Sequence, residues 1–339
     1  MEPRNHYDLK TVLVTSGAIG EHNLERISKV ATVYASWKMD EKGVEAILPN
    51  VNVLVVLLWP KFLGAKELAR MKSLRFLQSM LVGVNHIPFG SIDRNVQVAS
   101  NAGAYSVEVG EHAWGLLLAA AKKIVEHHER IGKGATELRE FSGEAAGITV
   151  LRGSTLGIVG YGGIGKEVAR YAKAFGMNVA AYTRTTKAER GVTIFRGKRG
   201  LETLLKQSDV VVLSLPLTSS TYRLIERREL SMMKNDAILV NIARGDLVDE
   251  DELYSWLRNH PSFRYATDVW WSKGGVETLE AGARFRSLPN FIGTPHMSGP
   301  TGTASGRPGT LATDNVVRYI RGRKPRNIVD RLEYTTIPG

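Results

Sequence analysis

The sequence predicts an α/β protein made of two doubly wound parallel-sheet domains, and three observations lead there. At 339 residues the chain is two to three times the size of one ordinary domain. Short β-rich runs alternate with helical patterns along most of its length, which is the signature of βαβ units. One glycine-rich turn stands between such a run and such a helix, where a strand would hand the chain to a helix.

In order, β-rich runs at Thr11 to Thr15, Thr32 to Tyr34 and Val51 to Leu58 are separated by helical patterns near Glu21 to Val30 and Asp40 to Leu48. Ser106 to Ile131 is apolar at Val107, Val109, Ala113, Leu116, Leu117, Ala120, Ala121, Ile124 and Val125. That spacing predicts one long helix, buried as a link and available for subunit contact. Gly132 to Gly153 is glycine-rich without periodicity and reads as a connecting loop. A second strand series follows at Thr155 to Val159, Val179 to Tyr182, Val210 to Leu215, Ala237 to Ile242, Tyr265 to Val269 and Phe291 to Gly293. The chain closes with a helix near Thr310 to Ile320, a basic turn holding Arg321, Arg323, Lys324 and Arg326, and the segment Asn327 to Leu332.

Composition narrows the class. Hydrophobic residues make up 43% and charged residues 23%, ordinary globular usage. The longest apolar run, Val51 to Trp59, has about half the ~20 residues a membrane helix needs, and no signal segment opens the chain. Zero cysteines leave no disulfide framework and no thiolate chemistry, which fits a cytoplasmic protein; no metal site is expected either. Forty-five Lys and Arg against 34 Asp and Glu give a net charge of +11, which favours anionic partners. No nucleic-acid motif accompanies the basic residues, so neither nucleic acid nor membrane is an expected partner.

Leu156 to Gly165 carries Gly160, Gly162 and Gly165 in the spacing GxGxxG, after a β-rich run and before the helical pattern Lys166 to Phe175. In that place the first glycine permits a tight turn, the second lets backbone approach a pyrophosphate, and the third lets helix pack on strand. The helix N-terminus then offers free N–H groups to phosphate. This is the fingerprint of a Rossmann dinucleotide site, with Gly160, Gly162, Gly163, Ile164 and Gly165 as cofactor-binding residues. An NAD-preferring fold places an acid at the end of the next strand. Here the position 18 residues after Gly165 holds Thr183, followed by Arg184, Thr185, Thr186 and Lys187. Hydroxyls and cations suit a 2′-phosphate, so NADP is favoured over NAD, with Thr183, Arg184 and Thr185 as its ligands.

Beyond the glycine turn, the chain resembles the D-isomer-specific 2-hydroxyacid dehydrogenase family. The resemblance rests on Leu81 to Ile87, Val109 to Ala113, Leu213 to Thr218, Asn241 to Asp249, Asp268-Val269, Thr294-Pro295-His296 and Gly322 to Asp330, in the family's order. It implies a flavodoxin-like substrate domain, residues 1–101 and 300–339, into which the cofactor domain 102–299 is inserted. The hinges would lie near Asn101 and Ser298, and the active site in the cleft between the domains. The implied reaction moves a hydride between NAD(P)H and a small 2-oxo acid, glyoxylate or hydroxypyruvate foremost. Arg244 would hold the substrate carboxylate, a task for which a forked guanidinium suits better than lysine. His296 would be the general acid and base. Val82 and Gly83 match the family's carboxylate-binding loop, Asp268 an acid near the nicotinamide, and Leu215, Pro216, Ile242 and Ala243 cofactor-lining positions.

One departure stands out. The family's glutamate beside the catalytic histidine falls five residues after the strand-end aspartate, which here is Lys273. Counted back nineteen residues from His296 it falls on Glu277, and a four-residue insertion around Ser272 to Val276 reconciles the two counts. Glu277 then takes the catalytic role, with Glu280 the neighbouring alternative. A carboxylate favours the charged imidazole, whereas a lysine opposes it. Trp270, Trp271 and Trp59 read as packing residues. The resemblance further implies a homodimer. A competing reading is a dinucleotide-sensing regulatory or binding protein on the same scaffold.

Overall fold

A computed structural model describes residues 10–143, 147–186, 188–274, 276–299 and 306–335. The chain divides into two compact units, Met1–Tyr105 with Gly302–Thr336, and Ser106–Thr301 with Ile337–Gly339. In the first unit β1 (Thr11–Val14), β2 (Thr32–Ala35), β3 (Val51–Val56), β4 (Phe76–Ser79) and β5 (Gln97–Ala99) form one sheet in the order β2-β1-β3-β4-β5. Every pairing is parallel, and the order is the flavodoxin-like winding. β3 is buried at every position except Asn52, as a strand covered on both faces must be. Helices α1 (Glu21–Ser28), α2 (Glu41–Ile47) and α3 (Ala65–Arg70) make the crossovers. Asp40 starts α2 by accepting the Gly43 N–H at 2.8 Å, satisfying one of the donors a helix leaves open.

The second unit opens with two helices where the periodicity predicts one. α4 (Ser106–Ala121) and α5 (Ile124–Gly132) are separated at Lys123, whose φ is 51°. The break has a local cause. Thr149 donates its N–H to Ala121 O at 2.7 Å, and Lys122 Nζ donates to Thr149 O at 2.7 Å. The returning loop thus takes up groups that a continuous helix would use. Strands β6 (Thr155–Val159), β7 (Asn178–Tyr182), β9 (Val210–Leu213), β10 (Ile238–Asn241) and β11 (Arg264–Thr267) follow the sequence pattern, whereas β8 (Thr193–Phe195), a short strand between β7 and β9 in the chain, is not marked by it. A two-stranded antiparallel hairpin, β12 (Ser272–Lys273) and β13 (Val276–Glu277), interrupts the series before β14 (Phe291–Gly293). The seven-stranded parallel sheet runs β14-β11-β10-β9-β6-β7-β8, a Rossmann winding whose direction reverses between β6 and β9. Helices α6 (Gly163–Ala174), α7 (Gly197–Gln207), α8 (Arg227–Leu230) and α9 (Glu250–Asn259) connect its strands. Its core holds Leu204, Leu205, Val211, Leu239, Phe263, Tyr265 and Phe285, all fully buried. Complete burial pushes the Tyr265 hydroxyl up to about 12, against weaker pulls from Thr267 and Asn241.

The chain then returns to the first unit as α10 (Arg307–Ile320) and α11 (Leu332–Thr335). Tyr319 stacks on Phe76 at 4.6 Å, and Asn315 donates to Gln78 Oε1 at 2.6 Å while accepting the Arg326 N–H at 2.6 Å. That bond satisfies Gln78, a buried polar residue in the middle of β4. Among the described residues no helix is long and apolar enough to cross a membrane.

Candidate functional site

The C-terminal ends of the second unit's strands converge on its switch point, where open α/β sheets bind ligands. The glycine turn follows β6 there. At Gly160 φ is 104°, and a Cβ would lie 2.7 Å from Leu215 N, so only glycine serves. At Gly165 a Cβ would lie 2.4 Å from Gly160 O, which is the close helix–strand approach. At Gly162 a Cβ meets nothing within 4 Å; Gly162 is the N-cap of α6 and supplies no side-chain cap. Gly163 and the half-buried Ile164 open the helix, whose first turn holds no acid. An open cradle facing an uncapped helix start fits a dinucleotide pyrophosphate.

After β7, Thr183 is buried and its Oγ1 accepts the N–H groups of Thr185 and Thr186, a turn that leaves Arg184 and Thr185 exposed. Lys187 lies outside the described residues. A cation that the sequence reading passed over stands beside this turn: Arg196 donates to Thr186 O. Only strand pairing could have shown it, because Tyr182 registers against Phe195 across β7 and β8. After β9, Leu215 packs on the core and Pro216 is exposed, its carbonyl accepting Thr221 Oγ1 at 2.7 Å. After β10, Ile242 and Ala243 are buried.

The loop that carries Arg244 is built by its neighbours. Asn241 Nδ2 donates to Arg244 O at 2.8 Å while its Oδ1 accepts the Ala243 N–H at 3.1 Å, folding the turn around itself. Gly245 is obligatory, since a Cβ there would lie 2.2 Å from Trp270 C. The half-buried Arg244 donates from one guanidinium nitrogen to Ala243 O at 2.6 Å.

His296 follows β14 with φ at 51°. Its Nδ1 lies 2.8 Å from Glu277 Oε2, and Glu277 Oε1 accepts the Trp270 N–H at 2.7 Å. Glu277 sits on β13; Lys273, on the paired strand β12, is exposed, as is Glu280. Trp270 and Trp271 are buried, and their indoles donate to Thr294 O and Val248 O. Asp268 is buried at the end of β11. Burial works against its charge, but hydrogen bonds from Ser298, Thr294 and the Met297 and Ser298 backbone overcome it and hold the carboxyl below its ordinary value.

The second unit therefore carries the glycine turn, Thr183 to Thr185, Leu215, Pro216, Ile242 to Arg244, Asp268 and His296 at strand ends of one sheet, with Glu277 of the β12–β13 hairpin joined to His296. Val82 and Gly83 belong to the first unit, where they follow β4 half-buried. Trp59 belongs there too, packed on the core and donating Nε1 to Leu63 O at 2.8 Å. Asn101 is buried and donates to Met80 O and Pro308 O, while Ser298 gives its N–H to Asp268 at 2.9 Å. Among the described residues no group of three His, Cys, Asp or Glu could hold a metal ion.

The family described as D-isomer specific 2-hydroxyacid dehydrogenase, NAD binding domain, matches residues 114–298. A glyoxylate reductase of Aeropyrum pernix is 35% identical over 315 residues, covering 91% of this chain and 92% of its own. A glyoxylate reductase of Thermococcus litoralis is 30% identical over 346 residues, covering 97% of this chain and all of its own. Among solved structures, a proposed formate dehydrogenase from Pyrobaculum aerophilum superposes with a TM-score of 0.79 at 30% identity, over 95% of this chain and 99% of that one.

Proposed function

The chain belongs to the D-isomer-specific 2-hydroxyacid dehydrogenase family, and on that premise we propose that it is an NADPH-preferring reductase of small 2-oxo acids, glyoxylate or hydroxypyruvate foremost. The observation that carries the reading is the contact of His296 Nδ1 with Glu277 Oε2 at 2.8 Å, in the same sheet-end cluster as Arg244 and an open dinucleotide cradle. The nicotinamide, when bound, supplies or accepts the hydride. Arg244 binds the substrate carboxylate and polarises the neighbouring carbonyl. Glu277 fixes Nδ1 of His296, which leaves Nε2 to give its proton to the substrate oxygen in reduction and to take it back in oxidation. Val82 and Gly83 are the further substrate ligands that the family resemblance adds.

Three features support NADPH: the absence of an acid at the end of β7, the hydroxyls of Thr183 and Thr185, and the cations Arg184 and Arg196. The assay follows loss of reduced cofactor with glyoxylate, hydroxypyruvate, pyruvate and phenylpyruvate, using NADPH and NADH in turn. Turnover with a 2-oxo acid, faster with NADPH, is expected. A protein that binds the cofactor yet reduces none of the four would overturn the proposal in favour of a dinucleotide sensor. Arg184→Ala should raise KM for NADPH by about tenfold, the scale of one charge-assisted contact, while leaving KM for NADH within about twofold.

We also propose a homodimer formed through the stretch after α4. Ile124, Val125, Ile131, Leu138, Ile148 and Val150 are large apolar side chains left exposed within one short stretch of chain, Leu138 at 88%. A second copy related by a two-fold axis would cover these side chains with the same stretch of its own chain. Light scattering should report a dimer for the wild type and a monomer for Leu138→Asp.

A further inference from the structure

His112, on α4, reaches the end of β14. Its Nε2 lies 2.8 Å from Thr294 Oγ1 and 3.4 Å from Asp268 Oδ1. Counting hydrogens fixes the direction of these contacts. A threonine hydroxyl has one hydrogen, and the 2.6 Å contact from Thr294 Oγ1 to Asp268 Oδ1 places it on the carboxylate. Toward His112 the hydroxyl can then only accept, so the ring carries its hydrogen on Nε2.

The chain of bonds continues into the loop that holds the acid–base pair. Asp268 Oδ1 accepts the Met297 N–H at 3.1 Å, and Oδ2 accepts the Ser298 N–H at 2.9 Å. Those are the two amides directly after His296, which stands in the left-handed region. Thr294 also holds the loop from the other side, its carbonyl accepting the His296 N–H at 3.0 Å and the Trp270 indole N–H at 2.8 Å. Thr294 and Asp268 together therefore grip the backbone before and after His296, and His112 faces the side-chain oxygens of both with one ring nitrogen.

We propose that His112 is a positioning residue for the acid–base pair: its Nε2–H holds the Thr294 hydroxyl on Asp268, and so keeps the His296 loop in the conformation that meets Glu277. The proposal rests on reading His296 as the proton donor. A side chain that merely filled space could be replaced by any apolar group of similar size. A donor cannot, whereas glutamine reaches with an amide N–H close to where Nε2 stands.

The test uses the full-length chain with His112→Leu, His112→Gln and Thr294→Val. His112→Leu and Thr294→Val should each lower kcat by about 10- to 100-fold, the usual cost of a slightly misplaced catalytic group, with NADPH affinity within about twofold of the wild type. The double variant should be no slower than either single one, because both break one chain of contacts. His112→Gln should retain kcat within about threefold. Amide exchange at Met297 and Ser298 should accelerate by about tenfold or more in His112→Leu and not in His112→Gln. Wild-type kcat and exchange in His112→Leu, or a His112→Gln as impaired as His112→Leu, would overturn the proposal. A wild type that reduces no 2-oxo acid would overturn the activity reading instead, and amide exchange alone would then decide the role of His112.

Discussion

At the scale of single residues, the site depends on few side chains, each with a separable effect. His296→Ala removes the proposed proton donor, and kcat should fall by about 10²- to 10⁴-fold with cofactor affinity unchanged, as stopped-flow turnover and fluorescence titration would show. Asp268 connects the site to pH. Its folded-state carboxyl lies below the ordinary value, so it stabilises the fold above the carboxylate range, and that contribution is lost as pH falls through the lowered value. Asp268→Asn should therefore cost about 1–3 kcal/mol near neutrality and flatten the acid side of the stability curve, measured by urea unfolding from pH 3 to 7. Some of this was legible in advance. The family resemblance, carried by motifs in order, named His296, Arg244 and Glu277 as candidates. Arg196 escaped because its significance lies in strand pairing, and His112, though inside the Val109 to Ala113 motif, because its partners stand on other elements that the motif does not show.

At the scale of elements, legibility followed burial pattern. β3 and β9 announce themselves because parallel strands covered on both faces are continuous apolar runs. β4 and β5 do not. They have four and three residues, and β4 spends its second half on Gln78 and Ser79, whose burial depends on partners such as Asn315 far along the chain. The long helix was read whole because apolar spacing continues through Ile124 and Val125, yet both are exposed and the break at Lys123 is set by Thr149 in a returning loop. Gly160 joins element to function. Gly160→Ala meets both a positive φ and the backbone of Leu215, so it should destabilise the second unit by roughly 1–3 kcal/mol and abolish cofactor binding. Thermal unfolding and titration with NADPH would show the two losses together.

At the scale of the whole molecule, the proposed function gives the surplus of 11 positive charges a partial destination in Arg244, Arg184 and Arg196, and the basic turn after α10 is exposed surface. Binding of NADPH should accordingly weaken as salt rises toward 0.5 M, where screening shortens the reach of exposed charges to about 4 Å. The left-handed backbone at His296 bears on the stability of the entire chain. Histidine and asparagine are among the side chains that enter this region more readily than most, and here the histidine is also held by its 2.8 Å contact with Glu277. Asparagine tolerates the same backbone. His296→Asn should thus unfold close to the wild-type temperature, and a melting temperature several degrees lower would show that the contact with Glu277, rather than the backbone, decides the stability of this loop. The fold and the chemistry proposed for it are then separable at this one position, where the backbone asks only for a side chain that accepts the left-handed turn.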